Sequence, residues 1–203
     1  MSIVLDWDNW RANYGIWSFA KQLAFYKEVF KDYPCQDHTN KQVILEFFAT
    51  LDAPFTVCEI GGWTGYTAAY VLAHCAKIVS WTNYEICHEA ASKSETQDVR
   101  YQGVGIDNWP WELSLKPAGV LVATHVIEHM KSHEVEKLLK RNRWQYCLVE
   151  CPLDDEASSW QGYHGTHIID VGWVGLQDLF ARHGYTCRLI GKTRVFTHDL
   201  STI

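Results

Sequence analysis

"TVCEIGGWTGYTAAY", residues 56–70, decides how the rest of this chain is read. A short apolar run stops at a Gly-Gly pair. One large aromatic, a third glycine and a run of good helix formers follow. Three glycines between a strand and a helix mean that backbone approaches something closely. The bulkiest residue available, Trp63, nevertheless sits among them.

Outward from that loop the pattern alternates. Residues 55–60 read as a strand, 66–75 as a helix, and 77–81 and 99–104 as strands. Residues 119–124 form a fourth strand with a helix after it around 134–140, and 146–151 a fifth. A helix over 176–183 and strands over 185–190 and 193–197 close the pattern. Ahead of the alternation, 9–30 read as a helix broken at Pro34, and Asp37 to Asn40 supply N-caps for a second helix reaching Leu51. Short apolar strands alternating with helices imply an α/β fold, a single doubly wound, mostly parallel sheet of seven strands covered on both faces. Only Gly191 and Lys192 separate the last two strands, which predicts an antiparallel hairpin. The expectation is one domain over 1–203, with a helical cap (1–52) on an α/β core (53–203).

The chain has 203 residues, 47% hydrophobic and 21% charged, as one globular domain should. No apolar run approaches the ~18 residues of a membrane span. Asp6 and Asp8 stand where a secretory signal would be basic. Seven cysteines, mostly inside apolar runs (Cys58, Cys75, Cys147), read as buried thiols and predict a cytoplasmic protein. A formal charge of −6 argues against a nucleic-acid partner. The one basic run, Lys137 to Arg143, reads as a solvated helix end.

In an open α/β sheet, ligands bind beyond the carboxyl ends of the strands, where strand order reverses. A nicotinamide fingerprint needs glycines at three places that here hold Gly61, Trp63 and Tyr66, so dinucleotide binding is disfavoured. Another pattern fits: Glu59-Ile60-Gly61-Gly62-Trp63-Thr64-Gly65, then a second acid, Glu85, in "TNYEIC". With "VATHVIEHM" (122–130) and "HGTH" (164–167) following in order, the chain resembles the class I S-adenosylmethionine-dependent methyltransferases over roughly 55–196. The catechol-type O-methyltransferases keep only the outer two glycines and continue Gly-Tyr-Ser/Thr, as Gly65-Tyr66-Thr67 does here. Trp63 fits that sub-pattern if its side chain points away from the ligand.

The resemblance implies S-adenosylmethionine as cofactor and methyl transfer as activity. It gives Glu85 the ribose hydroxyls, and Glu59 either the ordering of the loop or the cofactor's amino group. Gly61, Gly62, Trp63 and Gly65 would approach the ligand, with Ile86, Thr124 and His125 beside it. Asp107 and Asn108, in "GIDNWPW", would meet the adenine. The transfer is an SN2 displacement in which alignment is the main task. An acceptor that must lose a proton needs a base, for which His125 and His167 are the candidates, against a core or supporting role for each. Tyr14, Trp17, His38 and His164 are the expected acceptor-side residues. The aromatics of the first helix (Trp10, Tyr14, Trp17, Phe19, Phe25, Tyr26) exceed what one apolar stripe buries, which predicts a lid over the strand ends. The expected acceptor is a small molecule, and oligomeric state stays open.

Competing signals are weaker. "HVIEH" (125–129) matches the inverted zinc-protease pattern, and His133 would extend the same helical face. It stands, however, where methyltransferases carry a similar His-x-x-Glu-His segment, so no metal is expected. "PCQ" (34–36) is similar to the nucleophile loop of cytosine-C5 DNA methyltransferases but precedes the glycine loop. "NWPW" (108–111) lacks the second proline of the amino-methyltransferase tetrad. The fourth strand ends Ala123-Thr124-His125, without the acid that catechol-type enzymes use for magnesium, and Asp154-Asp155 lacks the Asp-Asn pair. The alternatives are a cofactor-binding domain without transferase activity, a nucleic-acid methyltransferase and a zinc-dependent hydrolase.

Overall fold

The computed structural model describes residues 13, 16–32, 41–93, 99–103, 119–151, 153, 169 and 171–198. Two helices come first, α1 (Phe19–Asp32) and α2 (Lys41–Ala49). The core then runs β1 (Phe55–Ile60), α3 (Tyr66–His74), β2 (Ile78–Glu85), α4 (His88–Ala91), β3 (Val99–Gly103) and β4 (Val120–Thr124). A 3-10 turn (Ile127–His129), α5 (Ser132–Arg141), β5 (Tyr146–Glu150), α6 (Trp173–Arg182), β6 (Tyr185–Ile190) and β7 (Thr193–His198) complete it.

The strands form one seven-stranded sheet in the order β3-β2-β1-β4-β5-β7-β6. Neighbours from β3 to β5 pair in parallel, whereas β7 is antiparallel to both β5 and β6. Alternate residues of each strand face opposite sides. Val57, Trp81, Val120, Val122, Leu148 and Val195 meet Ile44, Phe47 and Phe48 of α2 and Ala68 and Val71 of α3. Cys58, Ile60, Leu121, Ala123, Cys147 and Phe196 face α5 and α6 through Leu138, Leu139, Leu176 and Phe180. A doubly covered sheet needs continuously apolar strands, and β4 is buried at every position.

Four expectations need correction. The helix read as 9–30 is interrupted at residues 16–18, so α1 begins only at Phe19 and Trp17 lies ahead of it. The strand read as 77–81 runs on to Glu85, so Trp81, Asn83 and Glu85 share one sheet face. The segment 125–133 is not one helix. His125 adopts φ 55, the 3-10 turn ends at an extended Met130, and α5 begins afresh at Ser132. His125, His129 and His133 therefore lack the common face that the zinc pattern requires. A short helix, α4, also stands between β2 and β3, where the sequence pattern predicts none.

Candidate active site

The chain runs outward from β1 through β2 to β3 on one side of the sheet and through β4 and β5 on the other, so its order reverses at β1 and β4. The glycine loop leaves β1 at that point. Gly61 and Gly65 have φ 69 and 77, left-handed values that favour glycine. A Cβ on Gly61 would collide with Val126, the residue after His125. A Cβ on Gly62 would occupy the place of the Glu59 carboxylate and the Asn83 amide. What these two glycines approach so closely is this chain's own structure.

Beneath the loop lies a ledge of buried polar groups from β1 and β2. Glu59 is paired in register with Asn83, and its Oε2 accepts from Trp81 Nε1 at 2.8 Å. Asn83 Oδ1 accepts from the Gly62 N–H at 3.0 Å, while its Nδ2 has no partner among the described residues. Glu85 accepts from the Trp63 N–H (2.8 Å, Oε2) and the Cys87 N–H (2.8 Å, Oε1). The Gly61 N–H donates to Tyr84 O at 2.9 Å. Three consecutive loop amides are thus fixed by β2. Both carboxylates are almost fully buried. Burial pushes Glu59 up from 4.5 to about 7, the Trp81 hydrogen bond opposing and the Glu85 charge adding to the rise. Burial likewise lifts Glu85 to about 7 against its three backbone N–H donors. Two carboxylates poised near neutrality suit a site that receives a cationic ligand.

Trp63 has φ 52, and its side chain packs on Cys87 and Ala90 at α4. Tyr26 of α1 packs on the same two residues and meets the His129 ring edge-on at 6.4 Å. Lys27 Nζ lies 3.0 Å from Glu89 Oε1. Helix α1 therefore bridges the segments leaving β2 and β4, with the glycine loop between them. Trp17 lies against Phe25 of the same helix and under Lys21 Nζ.

On the β4 side, Thr124 is buried at the strand end, paired with Glu150 of β5. His125 donates its N–H to Glu150 O at 2.6 Å, and its side chain is about one-third exposed. Its Nδ1 stands 3.7 Å from Glu128 Oε1 and its Nε2 4.0 Å from Glu150 Oε1. Glu150 Oε2 also accepts from Thr193 Oγ1 at 2.8 Å, and Glu128 Oε2 has no partner among the described residues. Ile86 packs on the α5–α6 side of the core.

The structure thus brings Glu59, Gly61, Gly62, Trp63, Gly65 and Glu85 together at the loop, and sets Thr124 and His125 at the end of β4. Tyr14, His38, Asp107, Asn108, His164 and His167 lie outside the described residues. Sequence reasoning missed Trp81, Asn83, Glu128 and Glu150. The alternation Trp81, Asn83, Glu85 was the available signal for the first two. Among the described residues, no group of three His, Cys, Asp or Glu could hold a metal ion.

This strand order, with its single antiparallel strand, is the fold of the class I methyltransferases. No family model and no curated protein matches the chain. Among solved structures it is similar to human N-acetylserotonin methyltransferase in complex with SAM, at TM-score 0.59 and 15% identity over 94% of this chain and 62% of that one. It is also similar to an O-methyltransferase from neocarzinostatin biosynthesis, solved with S-adenosylmethionine and 2-hydroxy-5-methyl naphthoic acid (0.57, 17%, 91% and 61%). A small RNA methyltransferase is a third neighbour (0.60, 11%, 79% and 25%). At these identities the likeness is one of fold, and the chain spans about three-fifths of the length of the first two. Among the described residues no helix is long and apolar enough to cross a membrane.

Proposed function

We propose that this chain is an S-adenosylmethionine-dependent methyltransferase acting on a small-molecule acceptor. The observation that carries the reading is the glycine loop at the point of strand reversal, its amides held by β2 above two buried carboxylates, Glu59 and Glu85. When bound, the cofactor supplies an electrophilic methyl group on a cationic sulfonium. The chain's part is to bind, orient and exclude water.

In this reading Glu85 receives the ribose hydroxyls with the accepting capacity its backbone N–H donors leave. Glu59 takes the loop-ordering role, since Trp81 and Gly62 cover it. Ile86, Thr124 and the backbone of His125 border the cofactor, and Asp107 or Asn108 would meet the adenine. His125 is the base, its imidazole set between the Glu128 and Glu150 carboxylates, with His167 the second candidate. Helix α1 forms the lid, Tyr26 being the aromatic that reaches α4 and His129, and Tyr14, Trp17, His38 and His164 are assigned to the acceptor side. The acidic chain favours a small acceptor over RNA, and buried thiols favour the cytoplasm.

Calorimetry with S-adenosylmethionine, S-adenosylhomocysteine and NAD tests the cofactor. NAD binding without binding of either sulfur ligand would overturn the reading. Turnover of labelled donor against a metabolite panel, with and without EDTA, separates an enzyme from a binding domain. It also tests independence from metal.

A further inference from the structure

Trp63 is the outlier of the loop. A left-handed residue other than glycine costs about 1–2 kcal/mol. The chain has glycine at 61, 62 and 65 and tryptophan between them at 63. Its N–H is held by Glu85 and its side chain by Cys87 and Ala90, the two residues on which Tyr26 of α1 also packs. The same helix is tied to α4 by Lys27 and Glu89, and reaches the β4 side through Tyr26 and His129.

We infer that Trp63 is a positioning residue that couples the cofactor loop to the helix above it, so that cofactor binding seats α1 and completes the acceptor site. This rests on the methyltransferase reading. The backbone of Trp63 belongs to the loop that meets the cofactor, while its ring belongs to the surface that carries α1. A glycine would relieve the strain and sever that link. The coupling is reciprocal: the factor by which the cofactor favours the seated helix is the factor by which a seated helix tightens cofactor binding.

Hydrogen exchange over residues 19–32, measured on the full chain with and without S-adenosylhomocysteine, tests this. In the wild type the ligand should slow exchange on the order of tenfold, within the range of ordinary coupling. At saturating ligand Trp63→Gly should leave α1 unprotected, with S-adenosylhomocysteine affinity lowered severalfold, and Trp63→Phe should restore part of both. A Trp63×Tyr26 cycle gives a second readout that simple loss of stability would not produce. Tyr26→Ala should weaken S-adenosylhomocysteine binding severalfold in the wild type and not in Trp63→Gly. Additive effects, or full protection in a folded Trp63→Gly chain, would overturn the coupling while leaving the methyltransferase reading intact. Failure of the wild type to bind the ligand at all would remove both.

Discussion

Trp81 Nε1 donates to Glu59 Oε2 at 2.8 Å across two neighbouring parallel strands, and that bond sits directly under the loop expected to hold the cofactor. A buried carboxylate without a partner costs several kcal/mol, so the indole is what makes Glu59 tolerable in an apolar strand. It does not make the charge free.

Glu59 is held near 7 by burial, above its ordinary 4.5, so the fold favours the neutral acid. That contribution is fully present below about pH 4.5 and is lost as pH rises through about 7. Glu59→Gln keeps an acceptor for Trp81 and removes the titration. At pH 8 it should raise the unfolding free energy of the ligand-free protein by on the order of 3 kcal/mol, from about 1.4 kcal/mol per unit over the rise from 4.5 to about 7, and leave it little changed at pH 4.5. Denaturant melts at the two pH values measure this. A destabilisation at pH 8 would mean that the ionised form is the one the fold prefers.

Glu85 gives the second test. Glu85→Gln keeps an oxygen for one of the Trp63 and Cys87 amides but loses the charge that would meet ribose hydroxyls. S-adenosylmethionine binding should weaken by about 1.5–3 kcal/mol, the scale of hydrogen bonds to a charged group. Because both buried acids rest near 7 and the sulfonium is cationic, binding to the wild type should tighten as pH rises from about 6 to 8 and release protons. Calorimetry in buffers of different ionisation enthalpy reads both quantities, and pH-independent affinity would contradict the assignment.

Gly62→Ala tests the packing account of the loop. The new methyl would stand where the Glu59 carboxylate and the Asn83 amide now are, and both are fixed by strands rather than flexible. The loop must lift, breaking the Gly62–Asn83 bond. Stability should fall by about 1–3 kcal/mol, and cofactor affinity should fall with it. Thermal melts with and without S-adenosylhomocysteine would show it, and wild-type affinity would place the cofactor away from this backbone.

Most of the fold was legible because the core strands are short, apolar and bounded by glycine or polar turns. The glycine loop and the Glu59–Glu85 pair stood out for the same reason, charged or flexible residues in an otherwise apolar alternation. The end of β2 was hidden because Thr82-Asn83 reads as a turn by propensity, and the strand continues only because β1 and β3 pair with it on both sides. The break at His125 was hidden too, since helical spacing in "HVIEH" ignores the positive φ that tertiary contacts impose. Glu128 looks like an ordinary surface acid in the sequence, and Glu150, although inside the apolar run 146–151, carries no sign of its partners. Only the approach of β4, β5 and β7 buries them beside His125.

His125 stands at the end of β4 with a third of its side chain exposed and a buried carboxylate on either side. Such a setting fixes the ring and offers it to whatever lies beyond the strand ends. Truncation to alanine would leave a Cβ residue at φ 55, so asparagine, which tolerates the left-handed region, is the cleaner replacement. His125→Asn should preserve the fold and S-adenosylhomocysteine binding. It should reduce kcat about 10²- to 10⁴-fold for a hydroxyl acceptor, the usual contribution of a positioned base. Glu128→Gln should lower kcat less, with KM and cofactor affinity nearly unchanged, because it acts through the orientation of the ring. Steady-state rates with a hydroxyl acceptor found in the metabolite panel measure both variants. Full turnover in His125→Asn would remove His125 as the base and leave the neighbouring carboxylates with a structural role.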